Sequence, residues 1–194
     1  MTLADGEHHL TLDKAASHFP PDETLLRLVR HNTWANLRLL EFCEALALEQ
    51  LEWTTPGTFG TLHRTLHHIV GAEHGYLLAL TGELPPIEAE GRGKPMSGGW
   101  AAPIGELVER ASSNGERMER SVISGFDPLR VITRGTSRAI AAIIAAQYVH
   151  HGSDHRAHAG TILGAHGLEI PLDVNENGLD LWGYGTTIGE VGSA

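Results

Sequence analysis

Residues 136–166 form the longest helix that the sequence predicts, and they read TSRAIAAIIAAQYVHHGSDHRAHAGTILGAH. On a helical wheel, the apolar stripe of this segment has isoleucines at both ends and polar residues between them. Its members are Ile140, Ile144, Gln147, His151, His155, His158 and Ile162. His151 and His155 are one helical turn apart on the face expected to be buried, and two imidazoles so placed can reach one metal ion.

Three further helices are predicted upstream, from apolar residues at helical spacing and from residues that begin and end helices. They cover about residues 22–48, 61–81 and 103–124. Asp22 is a candidate N-cap for the first helix, and Gly82 is a candidate C-terminal stop for the second. Four long amphipathic helices without strong alternating strands predict an all-α protein, a four-helix up-down bundle with short irregular segments.

The chain is predicted to form a single helical-bundle domain at residues 21–194, preceded by a polar N-terminal arm at residues 1–20. Residues 83–102 are rich in glycine and proline, which is typical of a long surface loop. A short β-like stretch is expected within residues 126–135, and a short helical turn near residues 179–182. These segments complete the predicted organisation of the chain.

Polar residues also interrupt the apolar stripe of the first predicted helix. Asn32 and Asn36 lie one turn apart on that stripe. A buried amide has several hydrogen bonds to satisfy, so a pair of them is a poor filler for an apolar core. We therefore expect a polar pocket inside the bundle rather than a uniform core.

The second predicted helix offers two neighbouring histidines, His67 and His68, which both lie well off the centre of its stripe. Small residues make up the rest of the flank that carries His68, and they would let another helix approach closely. This favours His68 over His67, although the wheel alone leaves both open. The resulting hypothesis is a metal site of His68, His151 and His155. Three imidazoles leave a coordination position open, which in zinc sites is typical of catalysis.

Three amide side chains are predicted to surround this site. Asn32, Asn36 and Gln147 would orient the metal ligands or a substrate, because groups outside the ligand ring fix the orientation of the ligands.

Other histidine patterns remain as alternatives. His63 and His67 are also four residues apart, but their context is not apolar, so a solvated surface is the simpler interpretation. Residues 151–155 have the layout of the inverted protease motif H-x-x-E-H, with Asp154 in place of the glutamate, which keeps a metal-dependent hydrolase as an alternative. Cys43 lies on the buried stripe of the first helix and is interpreted as a core residue.

Composition argues against several classes of protein. The chain has 14 Lys plus Arg against 24 Asp plus Glu, a formal net charge of −10, and we expect neither a nucleic-acid nor a membrane partner. The longest strongly apolar run, residues 139–149, is too short to span a bilayer, and the N-terminus does not follow the pattern of a signal peptide. We therefore expect a cytoplasmic protein. The single cysteine excludes an intrachain disulfide framework.

The order and spacing of three segments resemble the DinB-like superfamily of four-helix metalloproteins, related to bacillithiol- and mycothiol-dependent S-transferases and to maleylpyruvate isomerase. The segments are His31-Asn-Thr-Trp-Ala-Asn36, Thr65-Leu-His-His-Ile-Val-Gly-Ala-Glu73 and His151-Gly-Ser-Asp-His-Arg-Ala-His158. The tail Leu179-Asp-Leu-Trp-Gly-Tyr-Gly185 is also similar to tails in this group. The resemblance covers about residues 22–185.

The resemblance implies one divalent metal held by a histidine of the second helix and an H-x-x-x-H pair of the fourth. These positions correspond to His68, His151 and His155, which selects His68 over His67. It also implies a long crossover connection and a homodimer. The family pattern continues H-R-G-Q after the last ligand, whereas this chain has His155-Arg-Ala-His158, so His158 is a further ligand, an orienting residue or a substrate contact.

The function expected from these observations is that of a metal-dependent thiol S-transferase. It would join a low-molecular-weight thiol to an electrophilic small molecule, with zinc or nickel as the ion and iron or manganese as alternatives. A non-catalytic metal-binding stress-response module and a metal-dependent hydrolase are the alternative functions.

Overall fold

The computed structural model describes residues 19–83, 102–170 and 178–192. Its elements in chain order are α1 Glu23–Glu44, α2 Leu48–Leu51, α3 Leu62–Thr81, α4 Ile104–Ser124, β1 Val131–Arg134, β2 Ser137–Ile140, α5 Ala141–Ala165 and α6 Leu181–Thr187. The predicted arm at 1–20 and loop at 83–102 lie almost entirely outside the described residues. Among the helices of the described ranges, none combines the length and the apolar character needed to cross a membrane.

The ends of the long helices follow local signals in the sequence. Asp22 caps α1, because its Oδ1 accepts a hydrogen bond of 2.9 Å from the amide of Leu25. The Thr61 side chain caps α3 in the same way, accepting from the amide of Arg64. Gly82 ends α3 in the left-handed region, with φ of 73°, which glycine adopts without a steric cost.

The four long helices pack as a bundle in which α1 and α3 each contact both α4 and α5. Apolar residues form two clusters, one at each end of the bundle. One cluster joins the C-terminal halves of α1 and α5 to the N-terminal halves of α3 and α4, and it includes Leu39, Leu66, Leu107 and Ile162. The other joins the opposite halves and includes Val29, Leu77, Met118 and Tyr148.

These clusters give the direction of each helix. The helices α1 and α5 run one way, and α3 and α4 run the other way. The neighbours α3 and α4 are therefore parallel, so α4 begins at the end of the bundle opposite to the one where α3 stops. This arrangement agrees with the predicted long crossover, and the predicted bundle is confirmed.

Two element boundaries differ from the sequence prediction. The fourth predicted helix starts at Ala141 rather than near residue 136, because Ser137–Ile140 pairs antiparallel with Val131–Arg134. β-branched residues favour strands, and Gly135, with φ of 59°, permits the two-residue turn between them. The first predicted helix ends at Glu44 rather than near 48, and a separate turn of helix follows at Leu48–Leu51.

Candidate metal centre

Three histidines converge where α3 faces α5. The imidazole centroids of His151 and His155 lie 4.4 Å apart, and each lies 4.7 Å from the centroid of His68. The Nε2 atoms of His68 and His151 are 3.0 Å apart. One nitrogen from each ring lies within 4.8 Å of the other two, which is close enough for all three to bind one ion.

Aromatic side chains hold these rings in place. Phe59, in the loop before α3, stacks on His68 with ring centroids 4.0 Å apart and planes at 14°. The same phenyl ring meets His155 edge to face at 5.0 Å. Tyr76, two turns along α3 from His68, meets the ring of His151 edge to face at 5.7 Å. The rings of all three histidines are therefore packed, which favours a fixed arrangement of their nitrogens.

The surroundings of the three rings favour their neutral forms. Burial, together with the neighbouring His155 and His68, lowers the pKa of His151 to about 4. Burial and then nearby positive charges lower the pKa values of His68 and His155 as well. Neutral imidazoles are the form that binds metals, so the donor set fits a divalent transition ion.

His158 lies beside the cluster. Its Nδ1 is 3.2 Å from Nδ1 of His155, one helical turn away, and the ring centroids are 5.1 Å apart. A hydrogen bond at Nδ1 of His155 leaves Nε2 of that ring as the atom available to a metal.

A second polar group, the polar layer, consists of Asn32, Asn36, Glu73 and Arg156 and lies buried among α1, α3 and α5. The Nδ2 atoms of Asn32 and Asn36 donate to the same atom, Oε1 of Glu73, at 2.5 and 2.6 Å. Nη1 of Arg156 donates to the Oδ1 atoms of both asparagines at 2.7 Å. The two amides thus bridge a buried guanidinium and a buried carboxyl group.

Burial also changes the pKa values of the charged members of this layer. It raises the pKa of Glu73 to about 7, against the opposing effects of the two amides and Arg156. It lowers the pKa of Arg156 to about 10, which leaves the guanidinium charged at neutral pH. Gly152 makes room for the layer, because a Cβ atom there would overlap Oδ1 of Asn32 and touch Nη1 of Arg156 at 3.0 Å.

Sequence reasoning missed Glu73 and Arg156 as members of a site. Glu73 lies at the centre of the apolar stripe of the second predicted helix, and a carboxylate in that position was the available signal. Arg156 follows His155 on the side of α5 that faces α1. The helical wheel of α5 does not indicate that this arginine is buried.

Other predicted residues have different surroundings. The expected inward orientation of Gln147 is wrong, since its side chain is exposed. Asp154 is also exposed, and its Oδ2 lies 3.2 Å from Nδ1 of His150. Nε2 of His63 hydrogen bonds to the carbonyl of Ala102 at 2.7 Å, so this ring is engaged away from the three-histidine cluster.

Cys43 is buried in the apolar cluster that includes Leu39, as expected of a core residue. Burial raises the pKa of its thiol to about 12. At neutral pH the thiol is therefore protonated and is a poor nucleophile.

Comparisons with known proteins agree with this architecture. The model of the DinB family matches residues 21–104. Among solved structures, the chain is similar to a DinB-like protein from Bacillus cereus ATCC 10987, with 19% identity and a TM-score of 0.56. That alignment covers 79% of this chain and 97% of the other. A search of curated proteins found no match.

The family match includes α1 and α3, and with them the two asparagines, His68 and Glu73 of the site. The match stops before α5, so His151 and His155 are assigned to the site on the geometry of the three-histidine cluster alone. Residues 21–104 therefore match the DinB family model, and the described helices pack as a DinB-like bundle.

Proposed function

We propose that the protein binds one divalent transition metal, zinc or nickel, and uses it to transfer a low-molecular-weight thiol to an electrophilic small molecule. The observation that carries the proposal is the convergence of three imidazoles of lowered pKa from α3 and α5. Three protein ligands leave a coordination position for an exogenous group, which is the arrangement of catalytic rather than structural zinc sites.

The ligands would be His68, His151 and His155. An ion held by these residues would lower the pKa of a bound exogenous thiol and so supply a thiolate at neutral pH, with the thiol proton passing to solvent. The thiolate sulfur would then form a bond to the electrophilic carbon of the second substrate, and a leaving group would depart with its electron pair. The chain's own contribution is to hold three neutral nitrogens around one point.

The surroundings of the cluster support an exogenous thiol as the nucleophile. Cys43 is the single cysteine of the chain, and it is buried with a pKa of about 12. A protein thiol is therefore unsuited to the attack. His68 and His155 are only half-buried, which leaves the cluster accessible from solvent on that side.

Metal binding is tested by elemental analysis of untagged protein that has been purified without a metal-affinity column. We expect about one metal per chain in the wild type and less than a tenth of that in His151→Ala and in His155→Ala. His63→Ala is the matched control, and it should keep its metal. Equal loss from His63→Ala would move the site to the surface pair His63 and His67.

The reaction is tested by following the loss of free thiol groups when the metal-loaded protein is mixed with a generic thiol and a generic electrophile. Thiol consumption that depends on His151 supports the transferase. Metal binding with no thiol consumption across a panel of thiols would instead identify a non-catalytic metal-binding module. Metal-dependent hydrolysis of ester or amide substrates without thiol consumption would favour the hydrolase.

A further inference from the structure

Two buried polar atoms of α5 have no hydrogen-bond partner among the described residues: Nδ1 of His151 and the hydroxyl oxygen of Tyr148. Tyr148 is completely buried and His151 is 9% exposed. The two residues are three positions apart, so their side chains emerge from the same face of the helix. An unpaired buried polar atom is costly, and two of them on one face indicate a missing partner.

The facing surface of α3 presents Glu73 and Tyr76, which are also three positions apart. Tyr76 packs against the ring of His151 at 5.7 Å, which places this turn of α3 next to this turn of α5. Burial raises the pKa of the Tyr148 hydroxyl, and the charge of nearby Glu73 adds to this effect. Both amide hydrogen bonds to Glu73 end on Oε1, so neither occupies its second oxygen, Oε2.

Metal binding makes the unpaired nitrogen of His151 important. Nε2 of this ring faces His68, so Nδ1 carries the proton when Nε2 binds an ion. The Nδ1–H group of a metal ligand normally donates to a carboxylate, a carbonyl or a water molecule, which fixes the ring and strengthens it as a ligand.

We propose that a buried water molecule joins His151, Tyr148 and Glu73, and thereby makes the polar layer an outer support of the three-histidine cluster. The water oxygen accepts from Nδ1–H of His151 and from the hydroxyl of Tyr148, and it donates to Oε2 of Glu73. Three polar partners are typical for an internal water molecule. Glu73 and Tyr148 are then positioning residues, and this inference rests on the proposed metal site.

The test is zinc affinity, measured by competition with a chromophoric chelator. Tyr148→Phe keeps the ring and removes the hydroxyl group, and Glu73→Gln removes the carboxylate acceptor. We expect each variant to bind zinc about tenfold or more weakly than the wild type. Tyr184→Phe is the matched control, since it removes the same hydroxyl group from a tyrosine that contacts His31 and Trp34 rather than the cluster, and it should bind zinc as the wild type does.

A second measurement keeps the inference separate from the proposed function. In metal-free protein, nitrogen NMR of the imidazoles reports which nitrogen of His151 carries the proton. We expect an Nδ1–H tautomer in the wild type and a loss of that preference in Tyr148→Phe. Wild-type zinc affinity in Tyr148→Phe, or no change of tautomer, overturns the buried water. Failure of the wild type to bind zinc overturns the proposed function, and the tautomer alone then decides the inference.

Discussion

The three-histidine cluster and the polar layer lie in the same bundle and share helix α5, but their hydrogen bonding differs. In the polar layer, the amides of Asn32 and Asn36 each donate to Glu73 and accept from Arg156, so four side chains are joined in one hydrogen-bonded network. In the cluster, the Nε2 atoms of two histidines face each other, and Nδ1 of His151 lacks a partner among the described residues.

This difference separates two uses of polar groups inside a protein. A buried network whose side chains bond to one another is held together by the chain itself, and it fixes how the helices pack. Imidazole nitrogens that converge on one point from two helices can instead be bridged by a cation. Buried polar side chains that bond to one another therefore do not indicate a ligand site, whereas buried polar atoms without a partner do.

The largest expected effect comes from breaking the polar layer. Glu73→Ala leaves the guanidinium of Arg156 buried without its counter-charge, and we expect the free energy of unfolding to fall by about 3–5 kcal/mol. Urea denaturation of metal-free protein measures this loss. His68→Ala under the same conditions should cost far less, because it removes a desolvated imidazole. Similar losses in the free energy of unfolding of both variants would show that the polar layer and the three-histidine cluster contribute equally to stability.

The next effect is steric. Gly152→Ala would place a Cβ atom against Asn32 and Arg156, and we expect a loss of about 1–3 kcal/mol in the free energy of unfolding. Gly164→Ala is the control on the same helix, since an added Cβ there meets nothing within 4 Å. Alanine is the better helix former, so this control should be neutral or more stable by up to about 1 kcal/mol. Equal destabilisation by the two changes would show that the layer tolerates the extra carbon.

The two regions are expected to respond to pH in opposite directions. The pKa of His151 falls from 6.5 to about 4 on folding, so the unfolded chain takes up protons first and stability declines as pH falls through that range. The pKa of Glu73 rises from 4.5 to about 7, so its contribution to stability declines as pH rises through that range.

Urea denaturation of metal-free protein between pH 4.5 and 6.5 separates these contributions. One group that titrates only in the unfolded chain changes stability by at most about 1.4 kcal/mol per pH unit. Relative to the wild type, His151→Ala should flatten the rise of stability with pH, and Glu73→Gln should steepen it. Parallel curves for the wild type and both variants would contradict the stated pKa shifts.

The smallest effect is expected at His63, which bonds to a backbone carbonyl outside both regions. His63→Ala should change zinc affinity by less than twofold, and the loss of its single hydrogen bond should cost about 0.5–1.5 kcal/mol in the free energy of unfolding. Chelator competition and urea denaturation measure the two quantities. A large change in zinc affinity would extend the metal site beyond the three-histidine cluster.

Local signals accounted for the features of the fold that were predicted correctly. Helical spacing defined the four long helices, and Asp22 and Gly82 marked two of their ends. The proximity of His151 and His155 follows from the geometry of one helix. Whether His67 or His68 joins them depends on how α3 packs against α5, and the resemblance to the DinB-like superfamily, rather than the wheel, selected His68.

The features that were missed depend on tertiary contacts. The amide of Asn36 donates to Glu73, which is 37 positions away in the chain. The bond joins α1 to α3, two helices that lie diagonally opposite each other in the bundle. The helical wheel predicts an inward Gln147, because alanines around much of α5 define its buried face poorly, whereas the structure exposes this side chain. The hairpin replaced the first residues of the fourth predicted helix because pairing with β1 outweighed local helical tendency.

The separation of His68 and His151 along the chain has a consequence for how the protein would unfold. The two residues are 83 positions apart, and the chain between them includes α4 and both strands. An ion bound by both would act as a reversible cross-link that closes this loop, and the free energy of binding would be added to that of folding. At a free metal concentration a hundred times the Kd, the gain is about 2.7 kcal/mol. The lifetime of the folded chain in the cell would then depend on the supply of metal.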